Sequence, residues 1–192
     1  AFMGYMMTFP GKKLIFMGTE YAPFREWDYK NELEWFMLKY PNHSAIKRYV
    51  KELNHLYLSS PELWEIDDSW EGFQWIEADQ SELNVISYRR IDMQGNEYIV
   101  VINFSPEKRA HYTLRVPEEG SYEEIFTSDA ERFGGNGTKN GTLRAKTLET
   151  EGELRAALDI VLPPYGALVF RKKPAVSVKN KNKGLSLNKE KK

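Results

Sequence analysis

The chain has 192 residues, of which 41% are apolar and 14% aromatic, so it can bury the core of one domain, or part of one plus a smaller second. It contains no cysteine, which excludes disulfides and thiolate zinc sites and is typical of a reducing compartment, so we expect a cytoplasmic protein. No apolar run approaches the roughly 20 residues that span a bilayer. The opening AFMGYMMTF also lacks the basic start and small-residue end of a signal peptide, so no membrane partner is expected.

The net charge of −1 hides an uneven distribution of charge along the chain. Residues 171–192 carry a charge of +8, which leaves a charge of −9 on the rest. An acidic body argues against a nucleic-acid partner. The tail at 172–192 is rich in Lys and Asn, and its composition predicts a disordered, solvated extension.

The N-terminal segment predicts a helix followed by a strand. Residues 1–9 are apolar and Met-rich, and predict the end of a helix that packs on the following strand and stops at Pro10-Gly11. Leu14–Met17 is an apolar run of strand length. Such unbroken runs are typical of parallel sheets that are covered on both faces.

A loop rich in charged and aromatic side chains follows this run from Gly18 onward. Such a loop after a buried strand is typical of the ligand-facing rim of an α/β enzyme. A solvated surface loop would have a similar composition, so both interpretations stay open. The candidate binding residues are Glu20, Arg25, Glu26 and Trp27.

A second helix is predicted from residue 41, with Asn42 or Ser44 as its N-cap, and Ser59-Ser60-Pro61 ends it. Its apolar stripe consists of Ile46, Tyr49, Val50, Leu53, Leu56 and Tyr57. His43 and His55 are interpreted as helix-start and helix-surface residues, because neither has a neighbouring ligand at metal-binding spacing.

Beyond Pro61 the apolar period becomes that of strands. Eight short runs with turns between them predict an antiparallel β-sandwich. The runs are 72–76, 85–91, 98–104, 112–116, 122–126, 143–147, 158–162 and 167–171.

The motifs of several enzyme classes are missing from the sequence. There is no Gly-x-Ser-x-Gly elbow and no cysteine for nucleophilic catalysis. There is also no Walker lysine and no Gly-x-Gly-x-x-Gly loop after a strand. No metal and no cofactor are therefore expected.

The chain resembles the C-terminal part of the glycogen (1,4-α-glucan) branching enzymes, which belong to the α-amylase superfamily. The resemblance rests on an ordered series of segments: KKLIFMGTEYAPFREWD, LEW, VKELNHLYLSSPELWEID, GFQWIEADQSELNVISYRR, VVINFSP and TSDAERFGGNG. Gly18-Thr19-Glu20 also resembles the Gly-x-Glu that follows the eighth barrel strand in the superfamily. The branching enzymes usually have Gly-Asn-Glu-Phe there, whereas this chain has Thr19 and Tyr21 in place of Asn and Phe.

The resemblance implies a mostly β chain in which an antiparallel β-sandwich follows the last βα unit of a (β/α)8 TIM barrel. Residues 1–60 would end the barrel, with Leu14–Met17 as strand eight. Residues 61–171 would form the C-terminal all-β domain, and 172–192 the basic tail.

The resemblance also implies an enzyme that cleaves α-1,4-glucan and forms α-1,6 branches through a covalent glycosyl-enzyme. Its three catalytic carboxylates would lie upstream of Ala1, so no catalytic residue is expected in this chain, which would be inactive alone. The expected partners are an α-glucan and the upstream barrel and N-terminal domains. The substrate-binding candidates remain Glu20, Arg25, Glu26 and Trp27, with Trp27 stacking on a sugar and Arg25 orienting the acids; the alternative is that Glu26 and Trp27 tie the loop to the helix.

Two roles stay open for the β-domain. A structural buttress predicts that the stripe at 46–57 packs partly on missing barrel elements and leaves an exposed apolar patch. A glucan-binding module predicts solvent-facing aromatic residues on one sheet. The candidates are Trp70, Phe73, Trp75 and Tyr88.

Overall fold

The structure, a computed structural model of the chain, describes residues 1–150 and 153–174. Two helices precede eight strands in this part of the chain. The helices are α1 (Phe2–Thr8) and α2 (Pro41–Ser59). The strands are β1 (Phe73–Gln80), β2 (Val85–Ile91), β3 (Glu97–Asn103), β4 (Arg109–Arg115), β5 (Gly120–Thr127), β6 (Thr142–Thr150), β7 (Glu153–Leu162) and β8 (Ala167–Lys172).

The antiparallel all-β prediction is confirmed. All eight predicted runs are strands, in the order β1-β2-β3-β8-β5-β6-β7-β4. The sheet curls until β4 lies beside β1: the Tyr112 hydroxyl donates to the Gln80 side chain at 2.7 Å, and Arg115 pairs with Glu77 at 2.9 Å. The enclosed core is lined by alternate residues of the strands, such as Ile99 and Leu168.

The outer face of β2, β3 and β8 is covered by the helices. This second core contains Met7 of α1, Leu53 of α2, and Val100 and Val169 of the sheet. Strands β3 and β8 are therefore buried on both faces, which explains why they are almost wholly apolar although they are antiparallel.

The first helix forms and stops as predicted, but its predicted packing partner is wrong. Helix α1 packs on α2 and on the β sheet, where a Cβ on Gly4 would lie 2.4 Å from that of Ala167. Leu14–Met17 is not a strand in this chain, and Leu14 is 74% exposed. A strand needs a neighbour's backbone hydrogen bonds, and the described residues offer no strand edge beside it.

The second helix ends at Ser59 as predicted, and its stripe is confirmed, with Val50 and Leu53 fully buried. The predicted N-cap is wrong, because neither Asn42 nor Ser44 caps it. Pro41 occupies the first turn, where its fixed φ suits a helix start and its missing N–H costs nothing.

Strand β8 includes Lys172, which the sequence placed in the tail. The disorder predicted for the rest of the tail falls mainly on residues 175–192, which lie outside the described residues.

Candidate functional site

The rim loop, residues 18–40, is anchored on the first half of α2. Tyr21 is fully buried, and its ring lies 5.3 Å from that of Trp35. The Nδ1 of His43 donates to the Tyr21 carbonyl oxygen at 2.9 Å. Gly18 permits this packing because a Cβ there would lie 2.7 Å from the Tyr21 ring. The loop is thus a packed element whose outer side chains are held in place.

Arg25 orients two carboxylates of the rim loop. Its guanidinium lies 3.2 Å from the Asp28 carboxylate and 3.4 Å from that of Glu34. The pKa of Asp28 is lowered, first by the hydrogen bond from the Asn31 side chain and then by Arg25. Asp28 therefore stays ionised to a lower pH than an isolated aspartate would.

Trp27 stands at the mouth of a small cleft. Its side chain is 74% exposed, its backbone is left-handed with φ +59°, and its ring lies 5.2 Å from that of Phe16. The cleft is shallow, with room for about one water molecule. Its lining consists of Met17, Pro23, Arg25, Trp27, Asp28, Glu32, Leu33 and Glu34.

The structure thus brings two of the four predicted site residues to one cleft. Glu20 lies half-buried in the 3₁₀ turn Thr19–Tyr21, and Glu26 is exposed; neither lines the cleft. Sequence reasoning missed Glu32 and Glu34. Their signal was the acidic segment NELEW, which could have been paired with Arg25.

The exposed apolar surface lies elsewhere than predicted. None of the six stripe residues of α2 is exposed, because α1, the β sheet and the rim loop cover them. Eight large exposed apolar side chains belong instead to the segment before α2. They are Leu14, Phe16, Phe24, Trp27, Tyr29, Trp35, Phe36 and Tyr40, and we name them the apolar rim. A surface of this kind marks an interaction site.

The proposed set of solvent-facing aromatics is half right. Trp70 is 80% exposed and Trp75 is 44% exposed. Phe73 and Tyr88 are buried, which corrects the sequence interpretation. Both rings pack edge-on against Phe9, at 5.1 and 5.8 Å, just after the helix that covers this face of the sheet.

Other kinds of site find no support among residues 1–150 and 153–174. No three His, Asp or Glu side chains there converge as metal ligands. No helix in the described ranges is long and apolar enough to cross a membrane.

Comparison with known proteins places this geometry in a family. Residues 75–173, which run from β1 through β8, match the family described as "Alpha amylase, C-terminal all-beta domain". The chain belongs to this family. The α-amylase C-terminal domain therefore accounts for the curled sheet, while the rim loop and both helices lie before the matched residues.

Curated relatives extend the match to the rim loop and helices. The chain is 42% identical over 169 residues to the 1,4-alpha-glucan branching enzyme GlgB of Halothermothrix orenii, covering 88% of this chain and 27% of the relative. It is 44% identical over 168 residues to that of Photobacterium profundum, covering 87% and 23%. The chain thus spans about a quarter of the length of these relatives.

Solved structures support the fold. The catalytic module of the glycogen-degrading pneumococcal virulence factor SpuA matches 89% of this chain and 30% of its own, with a TM-score of 0.55 and 15% identity. The Group B Streptococcus pullulanase SAP matches 89% of this chain and 27% of its own, with a TM-score of 0.54 and 15% identity.

Proposed function

We propose that this chain is the C-terminal part of a 1,4-α-glucan branching enzyme. The parent enzyme cleaves α-1,4-glucan and forms α-1,6 branches in glycogen or starch synthesis in the cytoplasm. The observation that carries the proposal is the 42–44% identity to such enzymes along 87–88% of the chain, which includes the rim loop as well as the β-domain.

In this proposal residues 1–60 are the last βα unit of a TIM barrel. Leu14–Met17 becomes strand eight when preceding residues of the parent enzyme supply its neighbours. Two observations support this: the segment has no ladder with the described residues, and the apolar rim is uncovered. Residues 61–171 are the C-terminal domain, and the upstream barrel and N-terminal domains are the partners.

The catalytic carboxylates belong to the upstream part of the parent enzyme, so this chain alone is inactive. Its contribution to the site is the rim loop. Trp27 stacks on a glucose ring of the α-glucan, and Arg25 holds Asp28 and Glu34 in place beside it. Glu20 and Glu26 lie on the same loop and act as supporting rim residues.

A chimeric enzyme tests this proposal. This chain replaces the matching C-terminal segment of the Halothermothrix orenii branching enzyme, and the truncated enzyme without that segment is the control. We expect branching by the chimera and none by the truncated enzyme or by this chain. The readout is the number of α-1,6 linkages formed in amylose, measured by debranching and chain counting. A folded chimera that forms no branches would overturn the proposal.

A second role, a glucan-binding β-domain, is favoured by the exposure of Trp70 and Trp75. Aromatic side chains with open faces are suited to stacking on sugar rings. Native electrophoresis of this chain through amylopectin gels measures it: retardation that Trp70→Ala and Trp75→Ala abolish supports binding. Tyr165→Ala is the control, because Tyr165 is 56% exposed in the β7–β8 turn. Equal mobility with and without amylopectin excludes this role.

A further inference from the structure

The loop between β5 and β6, residues 129–139, is folded around one carboxylate. Asp129 accepts hydrogen bonds from the backbone N–H of Asn136 at 3.0 Å and of Thr138 at 3.2 Å, and its carbonyl oxygen accepts from Gly137 at 2.7 Å. Burial alone would raise the pKa of Asp129, but these hydrogen bonds lower it below the ordinary value. The 129–139 loop is therefore rigid before any ligand arrives, which lowers the entropic cost of binding.

This loop forms an open cleft of about 280 Å³, lined by Ala130, Glu131, Arg132, Gly137 and Lys139. Gly137 has φ +78°, and a Cβ there would lie 3.0 Å from the Glu131 carboxylate, so the glycine leaves room for that side chain. Glu131 and Lys139 are both exposed, and the charge of Lys139 also acts on the nearby Glu124 carboxylate, whose pKa it lowers against burial. Both groups are available to a ligand.

The charges of the cleft are compatible with a neutral ligand that has many hydroxyl groups. Arg132 is held by three hydrogen bonds of 2.7–3.0 Å to Glu52, which neutralises it. Glu131 and Lys139 then offer one acceptor group and one donor group of opposite charge. A phosphate would meet the Glu131 carboxylate and a metal cation would meet Lys139, whereas sugar hydroxyls both donate and accept.

The 129–139 loop and the rim loop both contact α2, the rim loop at its start and the 129–139 loop from there to its middle. Gly134 lies against Ala45, with its Cβ direction 3.9 Å from the Ala45 Cβ, and the Phe133 ring lies 5.2 Å from that of Tyr49. His43, in the same turns of α2, holds the rim loop at Tyr21. Both loops are therefore positioned by α2.

We propose that the 129–139 cleft binds α-glucan as a contact remote from the rim, with Glu131 and Lys139 hydrogen-bonded to sugar hydroxyls. The proposal takes its ligand class from the proposed function. NMR titration of the ¹⁵N-labelled chain with maltoheptaose tests it, because the amides of Gly134, Gly135 and Gly137 report directly on the loop. We expect saturable shifts of these signals.

Variants test whether the exposed side chains of Glu131 and Lys139 make the binding contacts. Glu131→Gln and Lys139→Ala each weaken binding about tenfold, as expected for loss of one hydrogen bond to a charged group. The matched controls Glu149→Gln and Lys146→Ala, both exposed residues on β6, leave the affinity unchanged. Unchanged dispersion of the remaining amide signals shows that each variant is folded.

Two results would overturn the proposal that the cleft binds glucan. One is loop shifts with inorganic phosphate and none with maltoheptaose, which would make it an anion site; the other is the absence of loop shifts with either. The two proposals can fail separately, because the NMR titration measures glucan binding and the chimera measures branching. If the chimera is inactive but maltoheptaose shifts the loop signals, only the enzyme proposal is refuted. If the chimera is active but the loop signals do not shift, only the proposal of glucan binding in the cleft is refuted.

Discussion

Arg90 is the largest side chain that the fold buries completely. Its guanidinium donates to the carbonyl oxygens of Thr8 at 2.8 Å, Leu63 at 2.9 Å and Gly72 at 3.3 Å, and to the Asp67 carboxylate at 2.9 Å. Through these bonds one residue of β2 joins the end of α1 to the two 3₁₀ turns before β1. Removing the hydrogen bonds of Arg90 should weaken the packing of the N-terminal segment on the β-domain.

We expect Arg90→Met to lower the free energy of unfolding by about 3–5 kcal/mol, the cost typical of removing one partner from a buried ion pair. Three carbonyl oxygens lose their donor, and an unpaired buried polar group costs about 1–3 kcal/mol before relaxation or water entry reduces it. Arg89 on the same strand is the matched control. It pairs with Glu97 and Gln74, and its side chain is 25% exposed whereas that of Arg90 is fully buried, so Arg89→Met should cost about 1–2 kcal/mol, less than Arg90→Met.

Urea unfolding at pH 7, followed by tryptophan fluorescence and circular dichroism, measures both variants. The fluorescence of Trp70 and Trp75 reports on β1 and the turn before it. Asp67→Asn should fall between the two arginine variants, because Arg90 keeps its three carbonyl acceptors. Equal midpoints for Arg90→Met and Arg89→Met would refute the reasoning.

Three further changes test other parts of the structure. Burial, together with Asp92 and Glu65, raises the pKa of Glu62 against the opposing effect of Arg171. The folded state thus resists ionisation of Glu62, so stability is lost as the pH rises from the pKa of Glu62 in the unfolded chain through its higher pKa in the folded chain. Glu62→Gln should remove this loss, and therefore raise the Tm at pH 7 but not at pH 4. Equal Tm differences at both pH values would contradict this prediction. The Ser87 hydroxyl is buried without a hydrogen-bond partner in the described residues, so Ser87→Ala should raise the free energy of unfolding by up to about 1 kcal/mol. The measurement is the urea midpoint, which should rise; a lower midpoint would contradict this prediction. In the chimeric enzyme Trp27→Ala should lower the branching rate about three- to tenfold with little change in Tm, because the ring is mostly exposed; an unchanged rate with a lower Tm would assign Trp27 a purely structural role.

The strands could be predicted from the sequence because each is a short alternating or apolar run with turn residues beside it. The hairpin after β2 is an example: the Asp92 carboxylate accepts from the backbone N–H of Gln94 and Asn96, so local residues fix the turn. Leu14–Met17 forms no strand with the described residues for the opposite reason. Its composition suits a strand, but a strand also depends on neighbours that the segment does not contain.

Which face of each strand is buried could not be predicted from the alternation. Phe73 and Tyr88 are buried because α1 and the following residues cover that side of the sheet, and no local pattern encodes this long-range contact. For the same reason the burial of Arg90 could not be predicted. Two successive arginines on one strand look alike in sequence, and only the packing of α1 decides that Arg90 is inside and Arg89 outside.

The two roles proposed for the β-domain, buttress and glucan contact, are compatible, because α2 contacts the sheet and both loops. Its Leu53 packs into the core on the sheet, Glu52 holds Arg132 of the 129–139 loop, and His43 holds the rim loop. Rim and cleft are thus positioned by one rigid helix, although they are distant in sequence. A substitution that shifts α2 on the sheet should disturb both glucan contacts together, whereas Glu131→Gln should disturb the cleft alone. The comparison separates support of the rim by the β-domain from direct contact with the glucan.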